Sequence, residues 1–496
     1  MHVPEYWKAI YIKMFEQIFK NIDDFIWKDA GCDSELDYAE QTSWILFLKW
    51  LDDFEQDKQI KAKLDNKNYK SIFDKDYKWS SWAVVKTKEG KVDFNKSLTG
   101  DDLTKFINNK LFPYLANFKK NTEDLNTIDY KIGIIFSELK NEIQDGYILR
   151  SILNEVDKLE FRSDEQKHEL SVLYESKIQN MGNAGRTGGQ YYTPRPLIKT
   201  IVNLVKPKIG ETVYDGACGS GGFLVEAYNY INENKKLTTS ELKKLQTQTL
   251  YGKEKKNLAY IIGLMNMILH GIESPNIMRT NTLEENIMDI QNKDRVDVIL
   301  ANPPFGGGEQ AQVQENFPIR SGETAYLFLQ HFIKKLKVGG RAAIIIKNTF
   351  LSNGDAKNLR KQILEDCNLH TILDLPAKVF TAGVKTVVLF FEKGQPTKDI
   401  WYYQLNLDRT LGKTNALNEK DLEEFVTLYK KRSSTENSWL INLKDINIIN
   451  WDLTATNPNK KDTSDKRTPE QILVEIENLD NEISKNLLEI KKLINL

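Results

Sequence analysis

Apolar positions along the chain follow two rhythms, and the change between them falls near residue 165. Ahead of it they recur at helical spacing: residues 43–54 are apolar around Trp44 and Trp50, and residues 132–156 alternate apolar and charged positions in steps of three and four. An all-helical N-terminal domain over residues 1–165 is predicted. Six of the nine tryptophans precede residue 100, which suits either an aromatic core or an aromatic patch facing a partner. Residues 164–186 read as a helix and a glycine hinge into a second domain. From Leu197 onward short apolar runs alternate with helical stretches, giving strands near 212, 250, 276, 296, 341, 370 and 386. That alternation predicts an α/β doubly wound sheet within residues 166–455, with a polar, Lys-rich insertion over residues 232–248. The remaining residues, 456–496, read as a linker and a C-terminal helix. The polar stretch 452–467 ends in Thr468-Pro469-Glu470-Gln471, a capping box with proline at the first helical position. Ile472, Ile476, Leu479, Ile483, Leu487, Ile490 and Ile494 then form a stripe that either joins a helical bundle with another chain or folds back on this one.

Ligands of doubly wound sheets sit beyond the carboxyl ends of the strands, so the loops that follow Tyr214, Lys253 and Ala301 are predicted to share one crevice. The first is Asp215-Gly216-Ala217-Cys218-Gly219-Ser220-Gly221-Gly222, ahead of a helix beginning near Phe223. Its glycines permit a sharp turn and close backbone approach to a ligand. Taken alone the loop is also compatible with dinucleotide binding or with a turn that binds nothing. Asp215 changes the balance, because a carboxylate there repels a pyrophosphate and attracts the ammonium or sulfonium of S-adenosylmethionine. Glu254 stands 39 residues later, after the second strand, where an acidic side chain commonly meets ribose hydroxyls; the insertion accounts for the long spacing. A solvated helix start is the other reading of Glu254. Upstream, Gln190-Tyr191-Tyr192-Thr193-Pro194-Arg195 follows a glycine-rich lead. It can fold over a cofactor, and Thr193 can also cap the next helix with Pro194 as its first residue.

The third loop opens with Asn302-Pro303-Pro304-Phe305. An [Asn/Asp]-Pro-Pro-aromatic string is expected in a chain this long only on the order of 1% of the time. Asn-Pro also makes ordinary turns, so the string alone does not decide. Chemically it reads as a clamp for an exocyclic amine. The lone pair of such an amine is delocalised into the ring, and two fixed acceptors can redirect it: the Asn302 amide oxygen and the Pro303 carbonyl. The prolines fix φ and remove competing N–H donors, and they push Asn302 extended. Phe305 offers a face to the base.

Together, Gln190 to Arg195, Asp215 to Leu224, and Ala301 to Gly307 resemble the modification subunit of type I restriction-modification systems, an adenine-specific N6 DNA methyltransferase of the gamma motif order. The likeness spans roughly residues 165–460 and includes the segments 324–331, 342–347 and 383–393. It implies a Rossmann-like, S-adenosylmethionine-dependent methyltransferase sheet. It also implies cofactor contacts from Gln190, Tyr191, Tyr192, Thr193, Pro194, Arg195, Asp215, Gly216, Gly219, Ser220, Gly221, Gly222 and Glu254, with Asn302, Pro303, Pro304 and Phe305 as the catalytic set. Where the family shows an acidic residue before Thr-Leu, this chain has Asn281, whose oxygen can still accept a hydrogen bond from the cofactor's adenine. Implied partners are double-stranded DNA, a specificity subunit met by the C-terminal helix, and a second modification subunit. A restriction subunit carrying translocase and nuclease functions is left open. The expected reaction flips adenine from the duplex, stacks it on Phe305 and methylates it by direct displacement, with the loop 306–323 mobile until DNA arrives.

Charge and composition narrow the alternatives. With 69 basic and 70 acidic residues the net charge is −1, so no global field draws in phosphates and DNA capture falls to local patches or a partner. No run reaches the length of a membrane span and the start is not a signal peptide, so the cytoplasm is expected and no membrane partner. Cys32, Cys218 and Cys367 are too scattered for disulfides or zinc, the five histidines show no ligand spacing, and no metal is expected. No phosphate loop or carboxylate cluster suggests a nuclease. Two rivals remain: an amino-methyltransferase acting on protein glutamine or RNA, and a cofactor-binding assembly scaffold without catalysis.

Overall fold

The structure is a computed structural model and describes residues 5–121, 124, 127–161, 171, 174–178, 192–233, 236–380, 383–412, 415–459 and 467–493. Ten helices of ten residues or more among these are numbered in chain order. The N-terminal region holds α1 (Glu5–Ile26), α2 (Glu35–Leu64), α3 (Ile128–Glu138) and α4 (Gly146–Val156). Helix α2 begins at a capping box in which Ser34 Oγ accepts from Asp37 N at 3.2 Å and the Asp37 carboxylate accepts from Ser34 N at 2.9 Å. Trp44, Trp50, Trp79 and Trp82 are all buried, and Trp44 meets Phe112 edge-on at 5.1 Å. The aromatic concentration is therefore core, with Trp27 standing outside it, 72% exposed.

The run 132–156 is not one helix. Between α3 and α4 the chain is extended, because its N–H groups find side-chain acceptors instead of helical carbonyls: Glu142 N donates to Gln41 Oε1 at 3.2 Å, and Gln144 N and Asp145 N donate to the Asp29 carboxylate at 3.0 and 2.9 Å. Asp145 then caps α4 by accepting from Tyr147 N and Ile148 N.

The sheet has nine strands in the order β3-β2-β1-β4-β5-β7-β6-β8-β9. They are β1 (Val213–Asp215), β2 (Leu250–Glu254), β3 (Asn276–Arg279), β4 (Val296–Ala301), β5 (Leu336–Lys347), β6 (Cys367–Asp374), β7 (Thr386–Lys393), β8 (Asp399–Gln404) and β9 (Ser438–Asn442). The seven expected strands are present. β8 and β9 extend the far edge, where Trp401 of β8 stacks on Phe425 at 5.8 Å. Strands β1 to β5 pair in parallel, whereas β7 runs antiparallel between β5 and β6. The order reverses between β1 and β4, so the loops leaving these two strands diverge and open a crevice between them.

Side-chain alternation assigns the two faces. Val298 and Leu300 of β4 belong to one buried layer with residues of α5 (Arg195–Val205), α6 (Gly222–Glu233) and α7 (Asn257–Leu269). Ile299 and Ala301 belong to the other, with α8 (Thr324–Lys335) and α9 (Lys357–Asp366). Helix α7 is buried from Ala259 through Leu269 on every side, as expected of a helix held between the sheet and the N-terminal helices α2 and α3. The polar insertion carries its own capped helix, Thr239–Lys244, then a π-turn into β2.

Helix α10 (Pro469–Leu493) begins at the expected capping box, with Thr468 N donating to Gln471 Oε1 at 2.9 Å and Gln471 N to Thr468 Oγ1 at 3.3 Å. It does not fold back. Leu473, Ile476, Leu479, Ile483, Leu487 and Ile490 are 50–60% exposed. Among the described residues no helix is long and apolar enough to cross a membrane.

Candidate active site

Asn302 is the first residue beyond β4, and its side chain bridges to the segment leading into α5. Its Nδ2 donates to Thr193 Oγ1 at 2.9 Å, a contact between residues 109 apart in the chain. With the amino side held, the amide oxygen Oδ1 is buried and accepts no hydrogen bond among the described residues. A buried acceptor left free costs about 1–3 kcal/mol, so it is a position that a donor from outside can complete. The hydroxyl of Thr193 thus serves Asn302 and does not cap α5, which starts at Arg195 with Pro194 in the cap position and no side-chain cap bond. Pro194 is accordingly one residue ahead of the helix rather than its first residue. Its carbonyl accepts from Leu197 N and Ile198 N. Pro303 is buried and Pro304 half-buried.

The glycine loop forms the facing wall. Gly219 and Gly221 take φ of 51° and 77°, a region that side-chain-bearing residues resist, and Gly221 N closes a turn on Cys218 O at 2.8 Å. A Cβ on Gly216 would lie 2.8 Å from the Phe332 ring. Asp215 is 2% exposed, and its Oδ1 accepts from Ala217 N at 3.0 Å. Burial, with the charge of Glu254 adding to it, pushes the Asp215 carboxyl up to about 8. Glu254 in turn accepts from Gly219 N at 2.9 Å and Lys256 N at 2.8 Å, and burial raises its pKa as well. The buried thiol of Cys218 is pushed well up by the same burial and by both carboxylates. Two acids beside one another on this wall each favour the approach of a positive charge.

Tyr192, Thr193, Arg195, Asp215, Ser220 and Asn302 line one crevice at the strand ends. Gly219 and Gly222 join them. Gln190 and Tyr191 lie outside the described residues. Asn281 is not part of this lining: its Oδ1 accepts from Leu283 N at 3.2 Å, capping a short helical turn, although the next residue, Thr282, donates to Gly216 O at 2.6 Å and fixes the glycine loop. Phe305 is half-buried and meets Phe380 edge-on at 5.0 Å. The loop 306–323, expected to be mobile, is tied down at several points. Thr324 Oγ1 donates to Gly307 O at 2.6 Å, Gln330 bonds both the N–H and the carbonyl of Ile319, and Phe317 is buried. Three lysines near the strand ends are paired with carboxylates: Lys347 with Glu323 at 3.3 Å, Lys385 with Asp374 at 3.0 Å and Lys255 with Glu309 at 3.2 Å.

Several contributing residues carry no motif. Asn266 of α7 donates to Ser220 O at 2.9 Å, and Glu175 pairs with Arg195 at 2.8 Å. Phe380 and Thr282 belong to the same group. Each acts by a single side chain on a long-range neighbour, a relation that leaves no local pattern; only the Thr-Leu pair after Asn281 hints at one.

Comparison with known proteins identifies the family. Residues 165–467 match the model of the N-6 DNA Methylase family, and residues 15–156 match the HsdM N-terminal domain. The type I restriction enzyme EcoEI methylase subunit of Escherichia coli is 34% identical over 484 residues, covering 94% of this chain and 95% of that protein. A modification subunit of a putative type I restriction enzyme from Vibrio vulnificus YJ016 superposes with a TM-score of 0.79 at 34% identity, over 90% of this chain and 97% of that one. A chain from a structure of complex assembly and conformational transition in the type I R-M system gives 0.77 at 34% identity, over 97% and 98%. The helical N-terminal region, the mixed sheet and the terminal helix are those of this methyltransferase fold, and the chain belongs to the N-6 DNA methylase family, among the methylase subunits of type I restriction enzymes.

Proposed function

We propose that this chain is the methylation subunit of a type I restriction-modification complex and methylates adenine N6 at specific sites in double-stranded DNA, with S-adenosylmethionine as donor. The observation that carries this reading is the Asn302 amide, held through Nδ2 by Thr193 with Oδ1 buried and free. Such an oxygen, with the Pro303 carbonyl beside it in sequence, accepts both hydrogens of an extruded adenine's amino group and leaves its lone pair directed out of the ring plane. Phe305, braced by Phe380, supplies the stacking face, worth about 1–3 kcal/mol against the cost of unpairing. S-adenosylmethionine, when bound, supplies an electrophilic methyl on a sulfonium centre. The Asp215 carboxylate fits its positive charge, the glycine loop fits its close approach, and Tyr192, Thr193 and Arg195 border the same space, with Pro194 joining them along the chain but not lining it. Glu254 serves first as the buttress of Gly219 and is not among the residues lining the crevice, so a role toward ribose hydroxyls rests on its place after β2. Asn281, with its oxygen engaged in a cap, is the weakest member of the proposed set. Rate enhancement here is positioning and electrostatic alignment.

The assembly is read from surface and sequence. The exposed stripe of α10 is offered to helices of a specificity subunit, and the N-terminal domain, residues 1–165, to DNA and a second modification subunit; the catalytic domain is residues 166–455. A restriction subunit completes such a complex, working on DNA in the cytoplasm.

Reconstitution with a specificity subunit and a duplex carrying its site should place labelled methyl groups on adenine N6 only. Label on protein or RNA, or none on DNA, would overturn the reading. A second outcome follows from Asp215. With its carboxyl at about 8 it is protonated at neutral pH, and a bound cation lowers that value, so binding releases about one proton at pH 7. Affinity for S-adenosylmethionine therefore rises with pH and levels off above about 8. Calorimetry in two buffers of different ionisation enthalpy measures the proton, and an unchanged heat in both would remove Asp215 from the cofactor's charge pocket.

A further inference from the structure

Arg195 reaches into the crevice from the first turn of α5 and packs so closely on the glycine loop that a Cβ at Gly222 would lie 2.3 Å from its Nη1. Its charge is met by Glu175, Nη2 to Oε1 at 2.8 Å, with the two side chains 21% and 19% exposed. The pairing is close but poorly aligned. Arg195 Nε and Nη2 are buried and neither makes a hydrogen bond of acceptable angle, so the fork that guanidinium offers to a carboxylate is not filled. Glu175 also lies 3.6 Å from His270 Nε2, a second neighbour for its carboxylate. Glu226 feels the charges of both Glu175 and Arg195, so the guanidinium sits amid acidic groups of this chain while bordering a space proposed for a ligand that carries an α-carboxylate.

We infer that Glu175 is a competing carboxylate that occupies Arg195 until the amino-acid carboxylate of S-adenosylmethionine takes its place in the guanidinium fork. This rests on the crevice being the cofactor site. It makes Glu175 a residue that sets affinity from outside the site, and it makes Arg195 selective for ligands bearing that carboxylate. The exchange breaks one ion pair and forms a better-aligned one, so the competing charge weakens binding by roughly fivefold.

Calorimetric titration of the full chain, without DNA, tests this with two ligands: S-adenosylmethionine, and its decarboxylated analogue, which keeps the sulfonium and the amine. Glu175→Gln should tighten S-adenosylmethionine by roughly fivefold and leave the analogue unchanged. In an Arg195→Met background the same change should have no effect on either. If Glu175→Gln weakens both ligands alike, or alters neither, Glu175 is only a structural support and the exchange is refuted. If the wild-type chain binds neither ligand, the crevice itself has been misread, a failure distinct from the first.

Discussion

Asn302→Ala is expected to lower single-turnover methylation of a cognate duplex by about 10³-fold, or ~4 kcal/mol of transition-state stabilisation, with S-adenosylmethionine affinity changed by about twofold or less. The asymmetry follows from what the side chain touches. Its amino group is spent on Thr193 and its oxygen finds no donor among the described residues, so truncation removes the proposed substrate acceptor while Asp215, Glu254 and the glycine loop stay in place. Asn302→Asp sharpens the test. A carboxylate keeps the acceptor, and the Thr193 hydroxyl can turn to donate, so this variant should retain a measurable fraction of the rate. Labelled-methyl incorporation and calorimetry on the same preparations give the two readouts. Equal loss of rate and cofactor affinity in Asn302→Ala would show that the residue merely shapes the crevice.

Removing residues 468–496 is expected to abolish co-purification with a specificity subunit, weakening association by more than about 10³-fold, while cofactor binding stays within about twofold of wild type. Helix α10 makes the case by its exposure. An isolated helix of 25 residues with a continuous apolar stripe half or more exposed has no packing of its own to hold it, and burying such a stripe is what stabilises helices of this length. Because the crevice is built from residues 192–302, loss of α10 leaves it intact. A truncated chain that still co-purifies would move the interface elsewhere. Substituting Ile476, Leu479 and Ile483 by serine together should reproduce the deletion without shortening the chain.

Much of the fold was legible because its signals are local. β1, β2 and β4 are short apolar runs closed by Asp215, Glu254 and Asn302, so each strand end coincides with a candidate site residue, and helix α10 is written in its capping box and its spacing. What escaped was non-local. Residues 139–145 have the composition of a helix but become extended because Asp29 and Gln41, about a hundred residues away, take their N–H groups. Thr193 has the local chemistry of a cap, yet Asn302 claims its hydroxyl. β8 and β9 were missed because each is a short run whose stability comes from neighbours such as Phe425 rather than from alternation along itself. The loop 306–323 looked free in its glycines, and only Gln330 and Thr324, which lie beyond it, reveal that it is fastened.

The paired lysines near the strand ends have a bearing on how such a complex finds its target. Capture of a polyanion is driven by release of the counterions condensed on its phosphates, and a lysine already paired with a carboxylate in its own chain neutralises a phosphate less effectively. Lys347, Lys385 and Lys255 are committed in this way, in a chain of net charge −1. The share of phosphate neutralisation open to these three side chains is smaller for it, which leaves more of the ionic-strength dependence of target search to other surfaces of the assembled complex.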